Sequence, residues 1–362
     1  MNIHLPLALS LLLAAPQPAL GDKLDALLKH EMRLRRIPGV AFAVVDHGRV
    51  VAKRTYGFAN LETGTRVRSD SVFEVASVTK PFTATAVMAL AEEGKLNLDN
   101  PISKFIDGTP ATWKSITVRH LLSHTSGLPG GSPVKRDGSP LLEITTRQQY
   151  DDVLMCALAS APGERGLYSD PGYFLLGMII EKVSGLPYNQ FMEKRIFGPA
   201  GMKSSRIGDR RAIVRNHASC YLLRDGQLEN DRRVWQHELP SFFGMWTTVD
   251  DLVKWNSALE RGRILKPETL MRMWTPTRLN DGQPALVDGY GYGLGWFVVD
   301  VGGHRFVGHP GFHGSAMFRV VDQDLAVIVL TNLDTTTTFH NVVLVQEIIS
   351  TLRPDLPRFF GP

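Results

Sequence analysis

The chain has 362 residues, 43% hydrophobic and 21% charged, with a formal net charge of +4. That is globular composition, long enough for one large or two modest domains. The basic residues are scattered rather than interleaved with aromatics in a stripe, which argues against a nucleic-acid partner, and two cysteines cannot build a disulfide framework.

Leu5 to Ala15 is an apolar run too short to span a bilayer, and Ala19-Leu20-Gly21 puts small residues ahead of Asp22. The pattern predicts a signal peptide over residues 1–21, cleaved before Asp22, and a periplasmic or secreted protein. The segment has no Lys or Arg in its first part, so an uncleaved anchor is the alternative. No Cys follows the apolar run, which excludes a bacterial lipoprotein, and no later segment is long and apolar enough to cross a membrane.

Asp22 to Arg36 reads as an amphipathic helix ending before Pro38-Gly39. Val40 to Val45 and Val50 to Tyr56 are β-rich runs joined by Asp46-His47-Gly48, a hairpin signal. Ser77 to Glu93 reads as an amphipathic helix with Phe82, Ala86, Ala89 and Leu90 on its buried side. From Leu96 to about Trp255 helices and loops predominate, Gly127 to Pro140 being a loop rich in Gly, Pro and Ser. Phe174 to Val183 is a further helix. Past Gly289 the period changes: Tyr290 to Val301, Arg305 to Val307, Ser315 to Val321 and Leu325 to Thr331 read as strands, and Thr338 to Leu352 as a closing helix.

Strands at both ends with helices between predict an α+β fold. One antiparallel sheet is built from both termini and flanked by helices, with a mostly helical region inserted. The expected units are 22–76 with 285–355 as the sheet subdomain, 77–284 as the helical one, and 356–362 as a tail. Gly289 to Gly295 is not G-x-G-x-x-G and reads as a glycine-rich strand entry rather than a nucleotide loop. For Cys156 and Cys220 a bridge and two unbridged thiols are equal alternatives.

Ser77-Val78-Thr79-Lys80 carries the chemistry. A serine and a lysine at i and i+3 share a helical face, where the amine can take the serine's proton and make it a nucleophile. Such a lysine must be largely neutral, which burial favours. Ser132-Pro133-Val134-Lys135 has the same spacing but lies in the Gly/Pro/Ser loop, with no helix to align it, and reads as a chance match. A second proton carrier is needed for the leaving group. Tyr168-Ser169-Asp170, on a loop leading into a helix, supplies a phenol that near two cations can ionise or relay a proton. Tyr150-Asp151-Asp152 is a decoy inside a helix. His309-Pro310-Gly311 is expected to open an edge strand beside the nucleophile. The Phe312 N–H would then join that of Ser77 in an oxyanion hole, and His309 would carry part of a positive charge.

With these motifs in this order the chain resembles serine β-lactamase-like hydrolases: class C β-lactamases, D-alanyl-D-alanine carboxypeptidases, D-aminopeptidases and β-lactamase-fold esterases. The resemblance runs from about Pro38 to Asn332. It rests on Phe73 to Lys80, Leu121 to Leu128 (with Ser123-His124-Thr125), Tyr168 to Tyr173, Tyr292 to Trp296, Gly308 to Gly311 and Leu330 to Asn332. It implies a β-lactamase/transpeptidase-like fold, Ser77 as acylated nucleophile, Lys80 as base partner and Tyr168 as relay. Asp170, His309, Gly311 and Phe312 would line the site, with no cofactor and no metal. The implied substrate is a small-molecule ester, peptide or β-lactam. Two departures matter. Asp170 stands where the family usually has Asn, which removes an amide donor and raises the pKa of Lys80. His309-Pro310-Gly311 replaces Lys-Thr-Gly, removing the lysine and hydroxyl that would hold a β-lactam carboxylate. Ester or D-amino-acyl hydrolysis therefore ranks above β-lactamase activity.

His120/His124 and His309/His313 have the i, i+4 spacing of zinc pairs, but neither sits in H-E-x-x-H, so packing or capping roles are expected. No G-x-S-x-G occurs. The stretch Trp235 to Trp246, with Phe242 and Phe243, is core by default and a cleft wall as the second choice. A penicillin sensor that is acylated without turnover, or an inactive scaffold, would show no Ser77-dependent turnover.

Overall fold

The run from Gly39 to Val45 is apolar at every position, so a strand there must be covered on both faces. The structure is a computed structural model describing residues 20–130, 145–231, 241–334 and 340–360. In it this run forms β1 (Gly39–Asp46), buried throughout except at its last residue. β1 turns through His47 and Gly48, both at positive φ, into β2 (Arg49–Asn60) and the short β3 (Thr65–Arg66). The inserted region holds small strands β4 (Phe73–Glu74), β5 (Arg206–Ile207), β6 (Tyr221–Arg224), β7 (Gln227–Asn230) and β8 (Met245–Thr247) among its helices. The chain then returns as β9 (Leu286–Val287), β10 (Tyr290–Tyr292), β11 (Phe297–Val301), β12 (His304–Gly311), β13 (Ser315–Val320) and β14 (Leu325–Thr331).

Nine strands form one antiparallel sheet in the order β3-β2-β1-β14-β13-β12-β11-β10-β9, so the first long strand pairs with the last. Alternation sorts the side chains between two apolar clusters. Val40, Phe42 and Val44 face the terminal helices Leu20–Arg35 and His340–Leu352. Ala41 and Ala43 face the helical insertion. The fold is α+β, with helices on both faces of the sheet.

The helix Thr79–Glu92 departs from the amphipathic expectation: every residue from Thr79 to Leu90 is buried. Its threonines are accommodated by hydrogen bonds. Thr83 donates to the Ser241 carbonyl (2.6 Å) and Thr85 to the Pro81 carbonyl (2.8 Å). The expected strand Tyr290–Val301 is two strands, because the Gly293 N–H bonds the Trp296 carbonyl and turns the chain between them. Arg305–Val307 lengthens to His304–Gly311, since pairing with β13 carries the strand through residues of poor β propensity. His309-Pro310-Gly311 therefore closes a strand rather than opening one, and β12 lies inside the sheet. Its pairing with β11 stops at Gly308, however, which leaves the last three residues uncovered on that side.

Residues 356–360 are not a tail. Leu356 and Phe359 are buried, the Phe359 N–H bonds Gln346 (2.8 Å), and Phe359 stacks on Phe306 at 4.8 Å. Cys156 and Cys220 are not bridged. The helix Leu20–Arg35 begins two residues before the expected cleavage point. Among the described residues no helix is long and apolar enough to cross a membrane.

Candidate active site

Ser77 lies in a 3-10 turn, Ala76–Val78, that leads into the helix Thr79–Glu92. Ala76 is held at φ +47°, a strained conformation for a residue with a Cβ. Three hydrogen bonds hold it there. The Thr79 hydroxyl donates to the Ala76 carbonyl (2.6 Å) while accepting from the Met245 N–H (3.0 Å), and the Val75 N–H bonds the Met245 carbonyl (3.1 Å). The Ser77 turn is thus fixed against β8, about 170 residues away in sequence.

Lys80 is fully buried, and its ammonium reaches three acceptors: Ser77 Oγ at 3.0 Å, the Phe242 carbonyl at 3.0 Å and Asp170 Oδ1 at 2.8 Å. Burial lowers its pKa, and the Asp170 carboxylate opposes that shift without reversing it. Asp170 therefore acts in the direction its charge implies, but desolvation wins. Asp170 opens the helix Asp170–Ser184, whose N-cap Ser169 accepts from the Gly172 N–H at 3.2 Å. That cap starts the helix four residues earlier than the periodicity implies.

The Tyr168 ring lies 4.6 Å from the Lys80 ammonium and lines the same cavity as Ser77. Burial, then the Asp170 charge, push its pKa well above the ordinary phenol value. Tyr168 is thus a protonated phenol, not the ionised one that two nearby cations would favour, because burial and the Asp170 carboxylate both favour its neutral form. His309, expected to carry positive charge, is buried and neutral. Burial and the Lys80 charge bring its pKa down to about 3. Its Nδ1–H donates to the Pro310 carbonyl (2.7 Å), which leaves Nε2 to accept from the Tyr292 hydroxyl (3.2 Å).

Gly311 brings β12 against the Ser77 turn. A Cβ there would lie 2.1 Å from the Val75 carbonyl oxygen and 3.3 Å from the Ser77 nitrogen, so only glycine permits the approach. Phe312 follows directly and is half-buried. The buried Asn341 amide donates to the carbonyls of Gly311 (3.1 Å) and Ser315 (2.6 Å), clamping the turn that carries Phe312.

Several residues of the site escaped motif reasoning. His124, Tyr173 and Tyr292 are buried around Lys80 and His309, the His124 and Tyr168 rings being 4.4 Å apart. All three stood inside the short motifs, but spacing gave them no role. Asn341 and the Phe242 carbonyl had no sequence signal. Phe242, Phe243 and Trp246 are core, as the default held, while Trp235, Ser132 and Lys135 lie outside the described residues. Tyr150 lies within the helix Thr146–Leu154.

Neither histidine pair converges as zinc ligands. His120 Nδ1 accepts from the Thr117 N–H and caps a helix, and His124 Nδ1 accepts from the Ser169 N–H (3.1 Å). His313 stands apart from His309, 3.6 Å from Glu74 and 3.8 Å from Asp231, with Cys220, Asp231 and His313 bringing their donor atoms within 4.8 Å of one another. Against burial, the His217 hydrogen bond and the charges of His313 and Arg210 hold Glu74 down to about 2, so the His313 imidazole has an anionic neighbour without any ion.

Ser77, Tyr168, His309, Gly311 and Phe312 all line one cavity of about 600 Å³. A buried amine on a serine hydroxyl, a protonated phenol in the same cavity and a backbone strand beside it are the parts of an acyl-transfer site.

Comparison with known proteins agrees with that chemistry. The chain is 29% identical over 318 residues to penicillin-binding protein 4* of Bacillus subtilis, covering 83% of this chain and 69% of the relative. It is 28% identical to esterase EstB of Burkholderia gladioli, covering 87% and 91% of the two chains. The D-amino acid amidase of Ochrobactrum anthropi SV3, solved with L-phenylalanine amide, superposes with a TM-score of 0.78 at 25% identity, covering 93% of this chain and 99% of that one. The Beta-lactamase family model matches residues 24–346, from the first helix to the last, and the chain belongs to that family.

Proposed function

We propose that the protein is a serine hydrolase working through a Ser77 acyl-enzyme, with carboxylic esters ahead of D-amino-acyl amides as substrates. The observation that carries this reading is the 3.0 Å contact between Lys80 Nζ and Ser77 Oγ in a buried site open to an apolar cavity. Lys80 in its neutral form takes the Ser77 proton as Oγ bonds the substrate carbonyl carbon. The developing oxyanion lies between the N–H groups of Ser77 and Phe312, each such donor being worth about 10²–10³ in rate. Collapse breaks the bond to the alcohol or amine, which leaves with a proton passed through Tyr168 and restored to it from Lys80. Water then cleaves the acyl-enzyme, the acid departs, and the Ser77 hydroxyl is regenerated.

Two features favour esters. An alcohol leaves more readily than an amine, and Asp170 offers no amide donor to orient a substrate amide carbonyl. The neutral His309 provides no cation for a β-lactam carboxylate, which keeps β-lactam hydrolysis in third place. The amide reading is favoured by Asp288, an exposed carboxylate on the cavity wall that can receive an α-ammonium group. The reading includes export and removal of residues 1–21.

The deciding experiment compares kcat/KM for p-nitrophenyl butyrate and D-alanine p-nitroanilide, each against Ser77→Ala. Fast ester turnover with an inert anilide, abolished in Ser77→Ala, is expected. Fast anilide turnover would move the assignment to a D-amino-acyl peptidase. A stoichiometric burst without turnover would mean a sensor, and activity surviving Ser77→Ala would overturn the site.

A further inference from the structure

The cavity that begins at Ser77 does not stop at the catalytic groups. Its walls continue with Phe297 and Val299 of β11, Phe318 of β13, Val342 of the C-terminal helix, and Phe359 and Phe360 at the end of the described chain. Sheet register shows where this leads. Phe297 pairs with Gly308, and Gly308 with Phe318, so the three share one row and one face. Phe318 and Val299 pack with the terminal helices, opposite the insertion that holds Lys80, while the Phe297 ring stands at the junction, 5.1 Å from His309. The cavity therefore passes from the nucleophile round the Pro310–Phe312 end of β12, where β11 no longer covers the strand, onto the far face of the sheet.

The far portion is closed by the C-terminal segment. Phe359 packs on Phe306 (4.8 Å) and Phe318 (5.1 Å), and Phe360 stacks on Tyr290 (6.0 Å). The segment is pinned by the Phe359 N–H to Gln346 and by the Arg358–Glu347 ion pair (2.6 Å). The channel is therefore graded, with serine, phenol and imidazole near β12 and the apolar Val299, Phe318, Val342, Phe359 and Phe360 beyond them, Asp288 and Tyr290 also contributing to its wall.

We infer that this arm is an acyl-chain site, and that the substrates are esters of medium-length, unbranched apolar acids, with Phe359 and Phe360 setting the chain length. This rests on the acyl-enzyme reading above. An acyl group bonded to Ser77 Oγ is continuous with this apolar arm, and that continuity names its occupant. Each methylene moved from water into such an arm gains about fourfold in kcat/KM. Octanoate, with four methylenes more than butyrate, is then expected to exceed it by on the order of 100-fold.

The test measures kcat/KM for p-nitrophenyl acetate, butyrate and octanoate with the full chain and with Val299→Trp, which fills the arm, and Phe360→Ala, which opens its end. Expected are a steep rise with chain length in the parent, an octanoate-to-acetate ratio at least tenfold lower in Val299→Trp, and an optimum shifted to longer chains in Phe360→Ala. A flat chain-length profile in the parent, or a ratio untouched by both substitutions, overturns the acyl arm while leaving the hydrolase reading standing. A second measurement does not depend on turnover: calorimetric binding of octanoate and butyrate to Ser77→Ala. Tighter octanoate binding, lost in Ser77→Ala/Val299→Trp, supports the arm even if no ester is cleaved, and equal binding refutes it.

Discussion

Two buried cations, Lys80 and Arg319, occupy similar surroundings and do different things. Arg319 is 7% exposed, with its guanidinium donating to Asn256 (3.1 Å), Glu260 (3.0 Å) and Asp324 (2.8 Å) and lying 5.1 Å over the Trp274 ring. Lys80 also has three oxygen partners, one of them a carboxylate, and aromatic rings around it. Burial, ion pairing and aromatic contact therefore do not distinguish a reactive cation from a structural one. The difference is in the third partner and in the headgroup. One acceptor of Lys80 is a hydroxyl that lines a cavity, and an amine can give up its proton, whereas a guanidinium cannot at working pH. Arg319 ties the helix Val249–Glu260 to the β13–β14 turn, and nothing in that network is poised to react.

That contrast can be broken most severely at Lys80. Lys80→Arg keeps the charge and removes the base, so kcat/KM for p-nitrophenyl butyrate is expected to fall on the order of 10⁴-fold with the fold intact by circular dichroism. Retained activity would mean that the amine serves as a charge and not as a proton acceptor. The converse change, Arg319→Met, strands Glu260 and Asp324, and is expected to cost about 3 kcal/mol in denaturant unfolding while kcat per folded molecule stays near the parent value. A large loss of kcat would place Arg319 in the reaction pathway and erase the distinction.

Tyr168→Phe removes the relay but not the base and should lower kcat about 10²-fold, with a smaller deficit for activated leaving groups that need no proton. Equal loss for p-nitrophenyl and ethyl esters would count against a relay. The smallest effect is expected from Asp170→Asn. Activity needs neutral Lys80, so it rises as pH increases through the lysine's pKa. The Asp170 carboxylate holds that pKa up, and its removal should move the acid limb of the kcat/KM profile toward lower pH. An unmoved limb would show that another group sets it.

The β1–β2 hairpin and the β13–β14 region were legible because their signals are local: short apolar runs rich in β-branched residues and a turn able to take positive φ. The Ser77–Lys80 contact was legible for the same reason, since residues three apart on a helical turn are neighbours whatever surrounds them. The uniform burial of Thr79–Leu90 was not, because its threonines look solvent-facing until Ser241 and Tyr188 are packed beside them.

By itself, then, the sequence determined the α+β class, the hairpins and the order of short motifs, together with the adjacency of Ser77 and Lys80. These depend on backbone period and on neighbours a few residues apart. Tertiary structure alone decided that Phe242, Asp170 and Tyr168 meet at Lys80, that Asn341 clamps the Gly311 turn and that Phe359 closes a cavity begun at Ser77. It also decided the charge of the site. Whether His309 is cationic, Tyr168 ionised or Lys80 a base turns on desolvation against nearby charge, and burial is a property of the packed whole that no spacing encodes.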